Sequence, residues 1–210
     1  MDASLLKQAH QLNLRNRVSN GPFPPVILMT DDHRLPDPVA AMTKLPRHSM
    51  VVFRHYDHPD RASLAAKLRS QCRRLGHRML IANDVALALT LGADGVHLPE
   101  YRIWQSPSIY RHIPDGLIVT SACHSMPTAR KLCLLPASFR PDGLFISPVF
   151  ATQSHPGAST MPFSIVQRVA RICAHHDISP IGLGGINREN VGKLRGSALA
   201  SLAGIGFSGA

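Results

Sequence analysis

The residues of this chain best suited to chemistry follow short apolar runs, one after another along the sequence. They are Arg54, Asn83, Asp84, His97 and His124. Guanidinium groups bind phosphate, amide and carboxylate groups hold polar ligands, and histidine moves protons near neutral pH. Such residues at the ends of successive runs indicate one ligand-binding or catalytic site built from several loops.

A pair of glycines, Gly184 and Gly185, precedes a predicted helix start at Arg188 with Asn187 as its N-cap. Glycine lets a ligand approach the backbone closely, and a helix N-terminus presents N–H groups to an anion. The pattern therefore predicts a phosphate site, and a tight turn without a ligand is the alternative. The segment 147–162 is long for a connection, and its Thr, Ser, Gly and Pro content predicts a lid or else a disordered loop.

Eight apolar runs alternate with segments of helical periodicity and predict the elements that position these residues. The runs are 26–30, 49–54, 78–82, 95–98, 117–121, 143–147, 180–184 and 199–205. Near-continuous apolar strands are typical of a parallel sheet buried on both faces. Eight strand–helix units favour an α/β fold of one closed (β/α)₈ TIM barrel, whose site forms at the carboxyl ends of the strands.

Local signals predict several helix boundaries. Asp37 and Asp84 are candidate N-caps, and Gly76 is expected to end a helix over 60–75. Residues 1–25 are expected to form an N-terminal extension, with a helix covering the bottom of the barrel and ending at the prolines that follow it. The barrel domain is expected to span 26–210.

The composition and charge of the chain limit the kinds of partner that it can bind. The formal net charge is +10, but Lys and Arg are scattered and aromatic residues make up only 5% of the chain, so we expect no nucleic-acid partner. The longest apolar runs are too short to span a membrane, and the N-terminus lacks the pattern of a signal peptide, so we expect no membrane partner and a cytoplasmic location. The four cysteines form no paired motif, and Cys72 and Cys173 are expected to be buried thiols.

The motifs together resemble the thiamine phosphate synthase and TenI family from about residue 26 to the end of the chain. The matching segments are Leu28–Asp31, Val51–Arg54, Leu80–Asp84, Leu91–Leu98, His124–Ser125, Ser147–Thr152 and Ile181–Ile186. The fold of that family is a (β/α)₈ barrel. Its synthase joins hydroxymethylpyrimidine diphosphate to thiazole phosphate, with Mg²⁺ and cationic side chains assisting the departure of diphosphate.

The resemblance implies a role for each matching residue. Arg54 and Asn83 would bind diphosphate, Asp84 would ligate Mg²⁺, and His97 would line the pyrimidine side. The thiazole phosphate would be held by a set of residues from the last loops, namely Thr152, Ser154, His155, Gly184 and Gly185.

Five positions depart from the synthase pattern. Val52 replaces a Gln, Tyr56 and His155 replace lysines, Arg102 replaces the second Mg²⁺ carboxylate, and Ala122 replaces a Ser. Together they weaken the prediction of diphosphate ionisation, because the cations and the metal ligand are lost.

The leading interpretation is therefore a TenI-like member that binds thiazole phosphate and isomerises it as a thiazole tautomerase, with His124 as the catalytic residue and no cofactor. The first alternative is a divergent thiamine phosphate synthase with Mg²⁺, for which Asp84 would be a ligand. The second is a non-catalytic phosphate-ligand binding or regulatory protein. The partner is a phosphorylated thiazole or a similar small molecule, and a homo-oligomer is compatible with the sequence.

Overall fold

The protein folds as a closed barrel of eight parallel strands in the computed structural model, which describes residues 1–18, 21, 23–105, 113–152 and 160–208. The predicted (β/α)₈ architecture is confirmed. Each strand pairs with the next in sequence, and the last closes the barrel on the first. The strands are β1 (Val26–Met29), β2 (Met50–Phe53), β3 (Arg78–Ala82), β4 (Gly95–Leu98), β5 (Ile118–Cys123), β6 (Gly143–Ile146), β7 (Ser179–Leu183) and β8 (Ser201–Gly204).

Helices surround the barrel in the described part of the chain. They are α1 (Ala3–Asn16), α2 (Pro38–Thr43), α3 (Arg61–Leu75), α4 (Val85–Leu91), α5 (Glu100–Gln105), α6 (Met126–Cys133) and α7 (Phe163–His175). The predicted caps of α2 and α4 are confirmed, because Asp37 and Asp84 each accept a hydrogen bond from the third residue after them. Gly76 ends α3 with a φ of 71°, as predicted.

Two layers of apolar side chains form the core, because successive residues of a strand point alternately into the barrel and toward the helices. The barrel interior is filled by Phe23, Ile27, Met29, Met50, Val52, Leu80, Ala82, Phe145, Ile181 and Ala203. Phe23 precedes β1 and closes the amino-terminal end of the barrel. A Cβ atom on Gly143 would lie only 2.7 Å from its ring, so the ring packs directly against that glycine.

The N-terminal helix does not cover the bottom of the barrel as predicted. Helix α1 packs beside β8, with Leu5, Ala9 and Leu12 buried in the outer apolar layer. The amides of Asn13 and Asn16 donate to backbone carbonyls of the segment that leads into β8, at Ser197, Leu199 and Ala200. The helix also ends at Asn16, before the prolines.

The segment after β7 also differs from the prediction, because no α-helix begins at Arg188. Asn187 accepts hydrogen bonds from the backbone of Glu189 and Asn190, which makes it the start of a turn. The turn leads to a short 3₁₀ helix, Val191–Leu194. A glycine inside that short segment disfavours a longer helix.

All four cysteines, including Cys72 and Cys173, are buried free thiols, as predicted for those two. No helix in the described ranges is long and apolar enough to cross a membrane.

Candidate functional site

The polar residues predicted from the sequence stand at the carboxyl ends of the strands. Arg54 follows β2 and donates to Asp31 at 2.8 Å and to the carbonyl of Thr30 at 3.1 Å. Burial opposes the ionisation of Asp31, but hydrogen bonds from the Arg34 and His33 amides and the charge of Arg54 together lower its pKa. Arg54 is therefore held as a half-buried cation at the junction of β1 and β2.

Asn83 is clamped by two residues of α5. Its amide nitrogen donates to the hydroxyl of Tyr101 at 2.9 Å, and its amide oxygen accepts from Nε of Arg102 at 2.8 Å. The residue has a φ of 57°, a left-handed conformation that Asn tolerates better than most residues. Both polar atoms of its side-chain amide are therefore engaged by α5.

Asp84 has both carboxylate oxygens in use. One accepts from the backbone N–H of Leu87 at 2.9 Å as an N-cap, and the other pairs with Arg61 at 2.8 Å. Mg²⁺ prefers a rigid octahedral set of oxygen ligands and binds weakly to a single carboxylate. Since Arg61 holds Asp84 and Arg102 holds Asn83, these residues do not fit a Mg²⁺ ion. The described residues contain no group of three His, Cys, Asp or Glu side chains arranged for a metal.

His97 lies inside the barrel beneath the site. Its Nδ1 hydrogen-bonds to the Thr120 hydroxyl at 3.0 Å, and its ring packs edge-on against Phe145 with centroids 4.8 Å apart. Burial, followed by the charges of Arg54 and His124, lowers the pKa of His97 from 6.5 to about 3. A histidine in this environment stays neutral near pH 7 and serves as the floor of the site.

His124 follows β5, and its ring is about half exposed at the mouth of the barrel. Its Nδ1 lies 2.9 Å from the carbonyl oxygen of Ser147. Because a carbonyl only accepts hydrogen bonds, Nδ1 carries the proton and Nε2 of the neutral ring has a free lone pair. Glu100 accepts from the backbone N–H of His124 at 2.6 Å, and its carboxylate lies 3.9 Å from Nε2.

A cavity of about 610 Å³ opens between the ends of β7 and β8, and we call it the β7–β8 cavity. Its walls come from the loops after β6, β7 and β8, from the turn after β1 and from the first residues of the chain. The residues are Met1, Asp2, Leu5, Arg34, Ala151, Thr152, Leu183–Glu189 and Gly204–Phe207. The predicted phosphate residues Thr152, Gly184 and Gly185 thus share one cavity, whereas Arg54, Asn83, His97 and His124 are not among its walls.

Gly185 is required by the local packing. Its φ is 65°, and a Cβ atom there would lie 2.2 Å from the carbonyl oxygen of Ala151. The loop after β6 continues to hydrogen-bond along β7, with the Phe150 amide donating to the carbonyl of Gly184 at 3.1 Å. The tight turn alone therefore explains why residue 185 is a glycine. A bound phosphate would lie against the same turn.

Two predicted residues, Ser154 and His155, lie outside the described residues, as does the middle of the predicted lid, 153–159. The site also contains residues that the sequence reasoning passed over. Glu100 and Arg61 were not among the predicted site residues. Their positions in the sequence could have identified them, because Glu100 follows β4 and Arg61 lies between β2 and β3.

This chain is similar in sequence to a family model and to several thiamine-phosphate synthases. A family model described as thiamine monophosphate synthase matches residues 26–206. The putative thiamine-phosphate synthase 2 of Aquifex aeolicus (strain VF5) is 30% identical over 158 residues, which cover 74% of this chain and 80% of that protein. A thiamine-phosphate synthase of Xylella fastidiosa (strain 9a5c) is 30% identical over 133 residues, covering 62% of this chain and 53% of that protein.

Among solved structures, the thiamine phosphate pyrophosphorylase from Pyrococcus furiosus has a similar fold, with a TM-score of 0.66. The two chains are 21% identical, and the match covers 94% of this chain and 91% of the other.

Proposed function

The chain belongs to the thiamine monophosphate synthase family, and we propose that it binds a phosphorylated thiazole in the β7–β8 cavity and transfers a proton on the ring through His124. The observation that carries the proposal is the hydrogen bond from His124 Nδ1 to the Ser147 carbonyl at 2.9 Å. It fixes the tautomer in which Nε2 is a base.

The β7–β8 cavity supports the phosphate half of the proposal. Two of its walls carry guanidinium groups, Arg34 from the turn after β1 and Arg188 from the turn after β7. No carboxylate within the described residues forms an ion pair with Arg188. Phosphate oxygens form charge-assisted hydrogen bonds with such groups, and glycine turns allow the backbone to contribute N–H donors.

His124 supports the proton-transfer half. A neutral imidazole accepts a proton from one position of a heterocycle and returns it to another, so that the reaction leaves the residue unchanged. The Glu100 carboxylate at 3.9 Å from Nε2 stabilises the imidazolium that forms between the two steps. Glu100 is itself held by the His124 backbone and by the hydroxyl of Thr128. In this scheme His124 is the catalytic residue and Glu100 stabilises charge.

The second candidate is the thiamine phosphate synthase reaction, and the names of the relatives favour it over the tautomerase. In this chain the residues at the Mg²⁺ position are held by Arg61 and Arg102, and Val52 is buried in the apolar barrel interior instead of supplying a polar group. These contacts support proton transfer as the leading proposal. Experiments must therefore distinguish the synthase reaction from proton transfer.

Calorimetric titration of the protein with thiazole phosphate tests the binding half. We expect binding in the presence of EDTA, and we expect Arg188→Ala to weaken it about tenfold or more, as for the loss of a hydrogen bond to a charged group. Arg171→Ala, on the exposed face of α7, is the matched control and should bind like the wild type. No binding by the wild type, or equal affinity of both variants, would contradict the proposed cavity.

Activity assays separate the chemical candidates. Isomerisation in EDTA of carboxythiazole phosphate, a phosphorylated thiazole that also carries a carboxylate, supports the proton-transfer proposal. Sustained Mg²⁺-dependent formation of thiamine phosphate from the pyrimidine diphosphate and thiazole phosphate supports the synthase and overturns the leading proposal. Binding of thiazole phosphate with neither activity indicates a non-catalytic binding protein.

A further inference from the structure

A second cavity lies on the outer side of the barrel beside α1, and we call it the α1 cavity. It has a volume of about 540 Å³, and its walls are Ser4, Lys7, Gln8, Gln11 and Arg195. The four residues from α1 are three or four positions apart, so they form one stripe along the helix. The fifth comes from the segment that joins the 3₁₀ helix Val191–Leu194 to β8. The described walls of the α1 cavity and the β7–β8 cavity have no residue in common.

Gln8 is a buried wall residue with an unpaired side chain. Only 5% of the residue is exposed. No group in the described part of the chain forms a hydrogen bond with its side-chain amide, which lines the cavity. A glutamine amide offers two donors and an acceptor, and buried polar groups of this kind are nearly always hydrogen-bonded. The partner of Gln8 is therefore a molecule that enters the α1 cavity.

Two cations on the walls lack a counter-charge. Lys7 and Arg195 take part in no ion pair within the ranges that the structure describes. The described walls contain no carboxylate, because Asp2, which precedes α1, lines the β7–β8 cavity instead. Water alone would satisfy the amide of Gln8 but would leave both charges unbalanced. An oxyanion would accept hydrogen bonds from the amide and from both cations.

The backbone that carries Arg195 is held in place before any ligand binds. The guanidinium of Arg15 donates to the carbonyl of Arg195 at 2.9 Å and to the carbonyl of Ser197 at 2.7 Å. The amide of Gln167 donates to the carbonyl of Gly196 at 3.1 Å. The guanidinium of Arg195 itself has no hydrogen-bond partner among the described residues, so it is available to a ligand. A fixed backbone with an available side chain lowers the entropy cost of binding.

From this geometry we infer that the α1 cavity binds a small molecule that carries a carboxylate or phosphate group, through Arg195, Lys7 and the amide of Gln8. The planar guanidinium pairs with two oxygens of such a group, and the amide and the ammonium donate to the oxygens that remain. The volume lies within the range of about 300–1,000 Å³ that is usual for small-molecule sites.

The α1 cavity is separate from the site proposed for the thiazole. Its four residues from α1 precede the segment 26–206 that the family model matches, so the family model does not account for them. The inference concerns this cavity alone and does not depend on ligand binding in the β7–β8 cavity.

Nuclear magnetic resonance of the Gln8 side-chain amide tests the inference on the full chain. Protein labelled with ¹⁵N-glutamine is titrated with inorganic phosphate and, separately, with citrate at constant ionic strength. The Gln8 signal is identified by its absence from the spectrum of Gln8→Leu. We expect this signal to shift and saturate with at least one of the two anions. A shift with phosphate alone identifies a phosphoryl ligand, and a shift with citrate alone identifies a carboxylate ligand.

Substitutions show whether the anion is bound by the proposed residues. Arg195→Ala should raise the dissociation constant about tenfold or more, as for the loss of a hydrogen bond to a charged group, and Arg195→Lys should keep part of the affinity. Arg74→Ala, at the exposed end of α3, is the matched control and should bind like the wild type.

Other outcomes would overturn the inference. They are the absence of a saturable Gln8 shift with either anion, and an unchanged dissociation constant in a folded Arg195→Ala variant. Arg188→Ala alters the β7–β8 cavity and should leave the Gln8 titration unchanged. Loss of the Gln8 shift in that variant would place the anion in the β7–β8 cavity and would also overturn the inference.

Discussion

Replacing His97 by Gln should remove a large pH dependence of stability. The side chain is 4% exposed, and its pKa falls from 6.5 to about 3 on folding. Between these values the unfolded chain binds a proton that the folded chain does not, so the free energy of unfolding decreases as the pH falls below 6.5. At pH 5 the loss is about 2 kcal/mol relative to pH 7.5, since each pKa unit corresponds to about 1.4 kcal/mol.

Urea unfolding of the wild type and His97→Gln at pH 7.5 and pH 5.0 measures this effect. His55 and His77 also have lowered pKa values because of burial, so part of the pH dependence survives in the variant. The difference between the two proteins isolates the contribution of His97. An equal loss of stability in both proteins would refute the assignment of His97 as a buried side chain that stays neutral at the bottom of the site.

Three other substitutions probe the site. Gly185→Ala should lower the free energy of unfolding by at least about 1–2 kcal/mol, because a left-handed φ and a backbone clash both oppose the new side chain; urea unfolding checks it, and unchanged stability contradicts the packing. Asp84→Asn should leave isomerase activity intact and cost about 1 kcal/mol of stability, since the cap survives and the Arg61 pair is lost; a collapse of activity would point to a metal role. Glu100→Gln should slow isomerisation about fivefold, because a charge 3.9 Å from His124 Nε2 is worth about 1 kcal/mol in water; an unchanged rate argues against charge stabilisation.

The barrel was predictable because its signals are local. The apolar runs of the strands repeat along the chain, and Asp37, Asp84 and Gly76 have the residue types that begin and end helices. The carboxyl ends of parallel strands face one side, so the polar residues that follow them were placed correctly on that face.

The errors in the fold prediction arose where long-range contacts decide the outcome. Asn13 and Asn16 dock α1 beside β8 by hydrogen bonds to residues more than 180 positions away. No periodicity within α1 reveals those partners. The same helix was therefore assigned to the bottom of the barrel, a place that Phe23 occupies instead.

The errors in the site prediction have a similar cause. Arg61 and Asp84 are 23 residues apart and meet across α3 and β3. Arg102 reaches Asn83 over 19 residues. The sequence indicated that carboxylate and amide groups follow β3, but only the tertiary structure shows that arginines already occupy them. Because pairing changes the chemistry of a group, the metal prediction depended on contacts that the sequence does not specify.

The central claim is that His124 transfers a proton on a phosphorylated thiazole, and proton NMR of the carboxythiazole phosphate tests it most directly. With EDTA present, the wild type should convert one isomer to the other, and His124→Gln should leave the spectrum unchanged over the same period. His175→Gln, at the exposed end of α7, is the matched control and should retain the wild-type rate. No conversion by a wild-type protein that binds the ligand, or equal conversion by His124→Gln, would contradict the claim.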